Sequence, residues 1–497
     1  METTQKKIHI KNTLTGQKEE FKPISKNKVG MYVCGPTVYG EPHLGHARSA
    51  ITFDVVYRYL KFIGYEVRYV RNITDVGHLE DELSGEGEDK IAKKARLEQL
   101  EPMEVAQRYT NLYRDTMAKL NILPPSIEPT ASGHIIEQIE VIKQIISNGL
   151  AYEANGSVYL DVNAYAEKYH YGELSGRILD ELLAGSRTLE GQKEKKHPAD
   201  FALWKHADAS HIMQWPSPWG QGFPGWHIEC TAMSSKYLGV PFDIHGGGMD
   251  LKFPHHEAEI AQSYAAFGCT PVNYWMHNNM MTLDGQKMAK SKGNFISLNQ
   301  MFSGDHVLLE KAYDPMTVRF LMLQAHYGSP IDFSNKALES AEVACNKLLK
   351  GLDVINNLQI EKAGTVDESL SNQILAKCEN CFSKMNDDFN TAETIACLFD
   401  LLSVARKVEQ SRSHISEESL DKLKITYTGF LNDVLGISNE ENSATDLLPE
   451  VMGILAELRQ DARTKKDFAL SDFIRDRLAA VGIQMNDGKD KSTYEIN

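Results

Sequence analysis

The sequence has little of what secreted and membrane-embedded proteins need. Its 497 residues include only seven cysteines, and their spacing is not that of a disulfide framework. No stretch approaches the ~20 consecutive apolar residues that a bilayer-spanning helix requires, and the first residues contain no apolar segment of the signal-peptide kind. We therefore expect a cytoplasmic protein with no membrane partner, whose functional cysteines are thiolates or metal ligands.

Positive charge is also scarce. The chain has 53 Lys and Arg residues against 68 Asp and Glu residues, which gives a formal net charge of -15. Because diffuse attraction to nucleic acid requires a positive field, this balance disfavours a nonspecific polyanion binder. A specific nucleic-acid partner could still meet local basic segments at 90–96, 191–197 and 287–293, although most such runs are solvated faces.

The order of strand and helix patterns predicts a parallel sheet. VGMYVC is rich in β-branched and aromatic residues, GHARSAITFDVVYRYLKF has apolar residues at helical spacing, and YEVRYV is again strand-like. A strand, a helix and a strand in this order form a βαβ unit, which implies parallel pairing and a doubly wound sheet. Ligands of such sheets bind beyond the carboxyl ends of the strands, where Cys34 and the HLGH segment fall.

Changes in composition divide the chain further. A second α/β block begins at GWHIECTAMSSKYLG, and long amphipathic helices with few glycines follow it. We predict an α/β fold: a Rossmann-like doubly wound parallel sheet split by a connective insertion, then an α-helical bundle domain and a small C-terminal domain. The predicted boundaries are 1–120 and 226–330 for the two halves of the nucleotide-binding catalytic domain, 121–225 for the insertion, 331–440 for the helical domain and 447–497 for the C-terminal domain.

Two short motifs have the chemistry for binding phosphates. HLGH leads into a helix N-terminus, where backbone N–H groups and the His43 and His46 imidazoles can meet phosphate oxygens and Gly45 allows close approach. KMAKS offers Lys287 and Lys290, which we expect on a glycine-flanked loop, as point charges for a departing pyrophosphate. Each motif alone arises often by chance, but the pair in this order, on either side of an insertion, does not. On these motifs the chain resembles the class I aminoacyl-tRNA synthetases.

Two cysteines, a histidine and a glutamate make a plausible zinc site. In PHHEAE, His255 and Glu259 are one helical turn apart and would share a face. Cys230 precedes them in the second half of the sheet, whereas Cys34 comes from the first half, so the metal would lie in the crevice. Taken singly, a buried cysteine is more often a small hydrophobe and a His and Glu pair a surface contact. We expect His256 to lie beside the site rather than to ligate the metal.

A thiophilic metal next to an ATP pocket suggests a thiol substrate. Cysteine and serine differ by one atom of similar size, so shape alone discriminates poorly between them. Zinc changes the comparison because it deprotonates a coordinated thiol and prefers thiolate to alcohol. With YVCGPTVY, RNITD, GWHIECTAMS, FDIHGGGMDLKFPHHEAEIAQS and KMAKSKGN, followed by DDFNTAE and ARTKKDFALSDFIRDRLAAVGI, the chain resembles the cysteinyl-tRNA synthetases over nearly its full length.

That resemblance implies a reaction and a set of site residues. It implies an enzyme that activates L-cysteine with ATP to cysteinyl-adenylate, Mg2+ accompanying the ATP, and transfers the cysteinyl group to tRNA(Cys). It further implies one Zn2+ per chain on Cys34, Cys230, His255 and Glu259, ATP contacts from His43, Gly45, His46, Lys287 and Lys290, and substrate contacts from Thr74, Trp226 and Asp250. The helical region and the last domain would contact the tRNA, where exposed bases can be read. A monomer is favoured over an oligomer.

Two other functions are compatible with parts of the pattern. A ligase that delivers activated cysteine to an aminosugar resembles the same core but lacks the tRNA-binding end, whereas DDFNTAE and the terminal basic unit are present here. A noncatalytic synthetase-like RNA-binding protein would be expected to lose a signature residue, and none is missing. The segment 76–89 is acidic and contains glycine, so we expect a surface excursion there. It separates NITD from EDKIAKKA, where similar proteins often run directly on, and its role stays open. The pair Cys378 and Cys381 is expected to bind no metal.

Overall fold

The computed structural model describes residues 7–77, 79–81, 86–177, 194–208, 211, 213–283, 285–287, 294–360, 365–438, 448–479, 483–487 and 492–496. The chain separates into two compact units, Met1–Ile437 and Ser438–Asn497. Across the described residues, the helices are all too short or too polar to cross a membrane.

The first unit begins with the elements β1 (His9–Lys11), β2 (Lys18–Glu20), β3 (Lys28–Val33), α1 (Leu44–Phe62), β4 (Glu66–Arg71), β5 (Leu79–Asp81), β6 (Glu86–Asp89), α2 (Lys90–Glu98), α3 (Pro102–Lys119) and α4 (Ile135–Ser147). It continues with β7 (Ala151–Ala154), β8 (Ser157–Leu160), α5 (Val162–Ala166), β9 (Phe201–His206), β10 (Trp215–Ser217), β11 (Gly220–Pro224), α6 (Ile228–Leu238), β12 (Phe242–Gly248), α7 (His255–Phe267) and β13 (Val272–Asn278).

The remaining elements of the first unit are β14 (Met281–Leu283), β15 (Gln286–Lys287), α8 (Leu298–Ser303), α9 (Pro315–Leu323), β16 (Ile331–Phe333), α10 (Asn335–Asn356), α11 (Glu368–Asn386), α12 (Thr391–Ser411), α13 (Glu417–Thr428) and a π-helical turn, Gly429–Val434. The second unit contains α14 (Leu448–Thr464), α15 (Phe468–Ala479), β17 (Ile483–Asp487) and β18 (Ser492–Ile496), of which β17 and β18 pair antiparallel.

A parallel sheet in the order β13-β12-β3-β4 forms the centre of the first unit. The predicted βαβ unit is confirmed, since β3 and β4 pair in parallel and α1 connects them. Helix α1 is buried nearly all round because it packs between the sheet and the helices that follow it. Gly246 on β12 permits this close packing: a Cβ atom there would lie 2.2 Å from the ring of Phe53 on α1.

The insertion between the two halves of this sheet carries a sheet of its own. Its strands pair in the order β10-β11-β9-β8-β7, all antiparallel. The fully buried Trp204 on β9 belongs to a separate apolar cluster that also includes residues of α4, α6 and α7. The parallel sheet is therefore split by an independently paired β-element, as the sequence predicts, and its second half begins only at α6.

The ends of the acidic segment 76–89 are buried, which differs from the surface excursion that its composition predicts. Asp89 is 1% exposed and caps α2 by accepting hydrogen bonds from Ile91 N–H at 2.8 Å and Ala92 N–H at 3.1 Å. Its other carboxylate oxygen accepts from Gly77 N–H at 2.8 Å, so one side chain joins the two ends of the segment. Within the segment, β5 and β6 pair as an antiparallel hairpin.

A buried arginine joins α1, which packs on the parallel sheet, to the helical region. Arg319 on α9 is fully buried and forms an ion pair with Asp54 on α1. Its Nε donates to the Leu435 carbonyl at 2.7 Å and its Nη1 donates to the Leu120 carbonyl at 2.9 Å. Asp54 also pairs with Arg58 at 2.8 Å, and the network joins four segments distant in sequence: α1, Leu120, α9 and Leu435.

Candidate active site and metal centre

A cavity of about 620 Å³ lies at the carboxyl ends of the parallel strands. Its wall includes the residues that follow β3 and β4 and the last residues of β12 and β13. Nine of the residues singled out from the sequence line it: Cys34, His43, Gly45, His46, Thr74, Trp226, Cys230, Asp250 and His255. Glu259 lies behind the wall at 1% exposed, while Asp250 is exposed at the rim.

The HLGH segment builds the N-terminus of α1 as a capping box. The His43 Nδ1 accepts a hydrogen bond from Gly45 N–H at 3.1 Å, and His43 N–H donates to His46 Nδ1 at 3.2 Å. The two rings stack with centroids 3.9 Å apart. Because both Nδ1 atoms accept, each neutral ring carries its proton on Nε2, and Nε2–H is a donor suited to a phosphate oxygen.

The structure brings Cys34, Cys230, His255 and Glu259 together, with one ligand atom from each within 4.8 Å of the others. The two Sγ atoms are 3.7 Å apart, and His255 Nε2 lies 3.4 Å from Cys230 Sγ and 3.3 Å from Glu259 Oε1. A tetrahedral zinc with sulfur at ~2.3 Å and nitrogen or oxygen at ~2.0 Å separates its ligand atoms by about 3.3–3.8 Å. The donor set therefore fits a metal ion in both chemistry and spacing.

Further histidines lie around this cluster, and three of them, His227, His245 and His277, were not predicted from the sequence. His245 Nε2 lies 2.8 Å from Glu259 Oε2, and His227 Nδ1 lies 2.9 Å from His255 Nδ1. Contacts of this kind orient metal ligands. His245 was detectable in principle, since it is the polar side chain directly before the three glycines that end the strand segment FDIHGGG.

His256 lies next to the cluster, where the sequence analysis expected it. Its Nε2 is 3.2 Å from Cys34 Sγ, and its Nδ1 is 2.7 Å from Nε2 of His277 at the end of β13. An alternative ligand group, Cys34 with His245, His256 and Glu259, is also compact enough to hold a metal. The two groups share Cys34 and Glu259, so either would place the ion at the same end of the cavity.

Burial controls the protonation of these groups. Loss of solvent raises the pKa of the Cys230 thiol to about 12 and raises the pKa of the Cys34 thiol well above its usual range. The same burial lowers the pKa of His277 to about 3 and the pKa of His256 well below its usual range, so both imidazoles are neutral. A metal must therefore displace thiol protons, and the cost favours a cation with high affinity for sulfur.

Beside the cluster, a chain of hydrogen bonds forms the wall near Thr74. Asn72 Nδ2 donates to Thr74 Oγ1 at 3.1 Å, and Thr74 Oγ1 donates to Glu229 Oε1 at 2.7 Å. The half-buried Trp226 places its ring 4.6 Å from that of His255. Neither Asn72 nor Glu229 was predicted from the sequence, although both are polar residues inside the motifs RNITD and GWHIEC.

The structure describes one of the two signature lysines, Lys287. Lys287 was expected on a loop, but its backbone is in β15 and pairs with Thr282 of β14. Strand β14 also pairs with β16, where Asp332 Oδ1 accepts from Thr282 Oγ1 at 2.6 Å. Lys290 lies outside the described residues. The motif thus starts at the end of a paired strand, which fixes the backbone before the lysine segment begins.

Comparison with protein families agrees with the motifs. A family model described as the tRNA synthetases class I (C) catalytic domain matches residues 20–343, and a model of the DALR domain matches residues 382–439. A cysteine-tRNA ligase from Bacteroides fragilis is 55% identical over 493 residues, with 99% of each chain covered. One from Chlorobaculum tepidum is 46% identical, with 98% of each chain covered.

Solved structures agree on the fold. Methionyl-tRNA synthetase of Mycobacterium tuberculosis bound by methionyl-adenylate superimposes with a TM-score of 0.58 at 13% identity, covering 82% of this chain and 92% of the other. A leucyl-tRNA synthetase complex from Agrobacterium radiobacter also gives 0.58, at 11% identity. The predicted fold class is confirmed, and the chain belongs to the cysteine-tRNA ligase family of class I aminoacyl-tRNA synthetases.

Proposed function

We propose that the chain activates L-cysteine with Mg2+-ATP and transfers the cysteinyl group to tRNA(Cys), and that Cys34, Cys230, His255 and Glu259 hold one Zn2+. The observation that carries the proposal is the meeting of two thiols, an imidazole and a carboxylate at tetrahedral spacing, with the thiols and the imidazole on the wall of the same cavity as the HLGH helix N-terminus and the carboxylate of Glu259 directly behind it. When bound, zinc supplies a Lewis acid that favours a thiolate over an alcohol and so distinguishes cysteine from serine.

The residues of the chain do the remaining work by position and charge. His43 and His46 donate from Nε2 to phosphate oxygens at the positive end of the α1 dipole, and Gly45 keeps the surface open there. Thr74 and Trp226 bound the amino acid pocket, and Asp250 lies at the exposed rim. The reaction needs no protein nucleophile, because the cysteine carboxylate itself attacks the α-phosphate of ATP.

Lys290→Ala is expected to slow adenylate formation by roughly 100-fold, a loss typical of removing one transition-state charge contact. Lys287 and Lys290 are assigned to the departing pyrophosphate, so the cysteine KM should change far less than kcat. The measurement is cysteine-dependent pyrophosphate exchange. Lys292→Ala, in the same segment, is the matched control and should change kcat by less than threefold. A rise in KM with unchanged kcat would contradict the role of Lys290.

The proposed function is tested by pyrophosphate exchange across a panel of amino acids, with metal analysis of the same sample. Exchange with cysteine should exceed exchange with serine and alanine by several orders of magnitude, and zinc should approach one atom per chain. Removal of zinc by a chelator should abolish the exchange, and zinc added back should restore it. A metal-free protein that exchanges equally with serine and cysteine would refute the proposal.

The acceptor is expected to be tRNA rather than an aminosugar. Support comes from the helices that follow the catalytic part, where the DALR model matches residues 382–439. We assign tRNA contacts to the helical region and to the second unit, which ends in a short hairpin beside two helices. Transfer of cysteine from the adenylate to tRNA(Cys), measured beside transfer to an aminosugar, separates the two acceptors. Transfer to the sugar alone would overturn this part of the proposal.

A further inference from the structure

One carboxylate oxygen on the cavity wall has no hydrogen-bond partner. Glu229 belongs to α6, its side chain is 2% exposed, and its Oε1 accepts from Thr74 Oγ1 at 2.7 Å. Its Oε2 is buried and accepts no hydrogen bond. The described residues form no ion pair with Glu229 either. Leaving a buried carboxylate oxygen unpaired costs free energy, which a ligand with N–H donors would offset.

We propose that Glu229 binds the α-ammonium group of the amino acid substrate through Oε2. This inference rests on the proposed function, because it takes a substrate whose sulfur is held at the cluster of Cys34 and Cys230. Glu229 precedes Cys230 directly on α6, and only Cα and Cβ separate the nitrogen of cysteine from its sulfur. A substrate held by its sulfur therefore brings its ammonium group to the part of the wall that Glu229 lines.

The hydroxyl group of Thr74 supports the same orientation. Thr74 has one O–H proton, which it donates to Glu229 Oε1, and it accepts from Asn72 Nδ2 at 3.1 Å. One acceptor lone pair remains on Oγ1, and no donor remains. Thr74 and Glu229 therefore offer the substrate acceptors only, which suits an ammonium group with three N–H donors and does not suit the substrate carboxylate.

The surrounding charge has the sign that such a ligand requires. Asp75 and Glu259 both act electrostatically on Glu229 as further negative groups. Asp75 is held by Ser132, whose backbone N–H donates to it at 2.8 Å. A cation entering this region meets several carboxylates within one buried wall, and low local polarity strengthens that attraction.

The test compares two thiol ligands that differ in the amino group alone. L-cysteine and 3-mercaptopropionic acid share the sulfur and the carboxylate, and their affinities for the zinc-loaded protein are measured by inhibition of pyrophosphate exchange or by calorimetry. Glu229→Gln keeps the side-chain volume and an oxygen that can accept from Thr74. We expect this variant to weaken the binding of cysteine by roughly 10- to 100-fold and to change the affinity for 3-mercaptopropionic acid by less than about twofold.

The control variant is Glu41→Gln, which changes an exposed carboxylate on the same cavity and should leave both affinities within twofold. Equal weakening of both ligands by Glu229→Gln would mean that Glu229 only supports the wall, and would overturn the assignment. If Glu229→Gln keeps the wild-type preference for cysteine over 3-mercaptopropionic acid, the assignment is overturned as well. If the wild-type protein fails to bind cysteine at all, the proposed function itself fails, which is a different result.

A second variant keeps the test decisive should Glu229→Gln lose zinc. Glu229→Asp retains the charge but shortens its reach, so it should lower the preference for cysteine over 3-mercaptopropionic acid by severalfold while the zinc content stays at the wild-type value. A preference equal to that of the wild type would contradict the contact with the ammonium group.

Discussion

Cys34→Ala is expected to lower zinc content from about one atom per chain to a small fraction of that value and to raise the cysteine KM by at least 100-fold. The reason is geometric: Cys34 Sγ lies 3.7 Å from Cys230 Sγ and 3.8 Å from Glu259 Oε1, so its loss opens one corner of the donor tetrahedron. Removing one of four zinc ligands forfeits most of the binding free energy of such a site.

Metal analysis and exchange kinetics on the same preparation check this result. Cys269→Ala, which replaces a half-buried free cysteine outside the cluster, is the matched control and should keep wild-type zinc and KM. If Cys34→Ala keeps both values, Cys34 is not a ligand, and the alternative group that also contains Cys34 falls with it. The KM for ATP should change little, because the HLGH capping box does not depend on the metal.

Arg319→Met is expected to destabilise the first unit by about 3–5 kcal/mol, the cost typical of leaving a buried charge without its partner. The substitution preserves much of the side-chain volume but removes the ion pair to Asp54 and the hydrogen bonds to the carbonyls of Leu120 and Leu435. Asp54 would keep its ion pair with Arg58 at 2.8 Å. Because one partner remains, the loss of stability should not exceed this range.

Urea unfolding followed by fluorescence measures the effect. Lys311→Met breaks a solvent-exposed ion pair with Glu342 and serves as the control, with an unfolding midpoint equal to that of the wild type. A wild-type midpoint for Arg319→Met would show that the helical region is held to α1 by apolar packing alone. The effect on pyrophosphate exchange below the transition should be small.

Sequence periodicity predicted the parts of this fold that are local. The βαβ unit, the split of the sheet and the one-turn spacing of His255 and Glu259 follow from patterns within single segments. The convergence of Cys34 with Cys230 was predictable because the two residues belong to the two halves of one doubly wound sheet, whose ligands bind in the crevice beyond the carboxyl ends of its strands. Nine of the residues that line the cavity were thus singled out from the sequence.

Features that depend on pairing between segments were not predictable. His277 reaches His256, beside the candidate metal cluster, because β12 and β13 pair in parallel register, and His277 has no motif of its own. Asp89 was read as part of an acidic surface, but its carboxylate is needed to cap α2 and to bind Gly77 N–H. Lys287 was assigned to a loop because the short pairing of β14 with β15 leaves little trace in composition.

The separation of Cys34 from Cys230 by 196 residues has a consequence for biosynthesis. At translation rates of ~5–20 residues per second, the ribosome needs on the order of ten seconds or more to deliver the remaining donors after Cys34. A nascent chain that has not yet exposed α7 carries at most two of the four donors, because His255 and Glu259 both lie on that helix, and one released before α6 carries a single thiol. Truncated products should therefore lack the metal. Bound zinc would indicate that both halves of the sheet have been synthesised and have packed together.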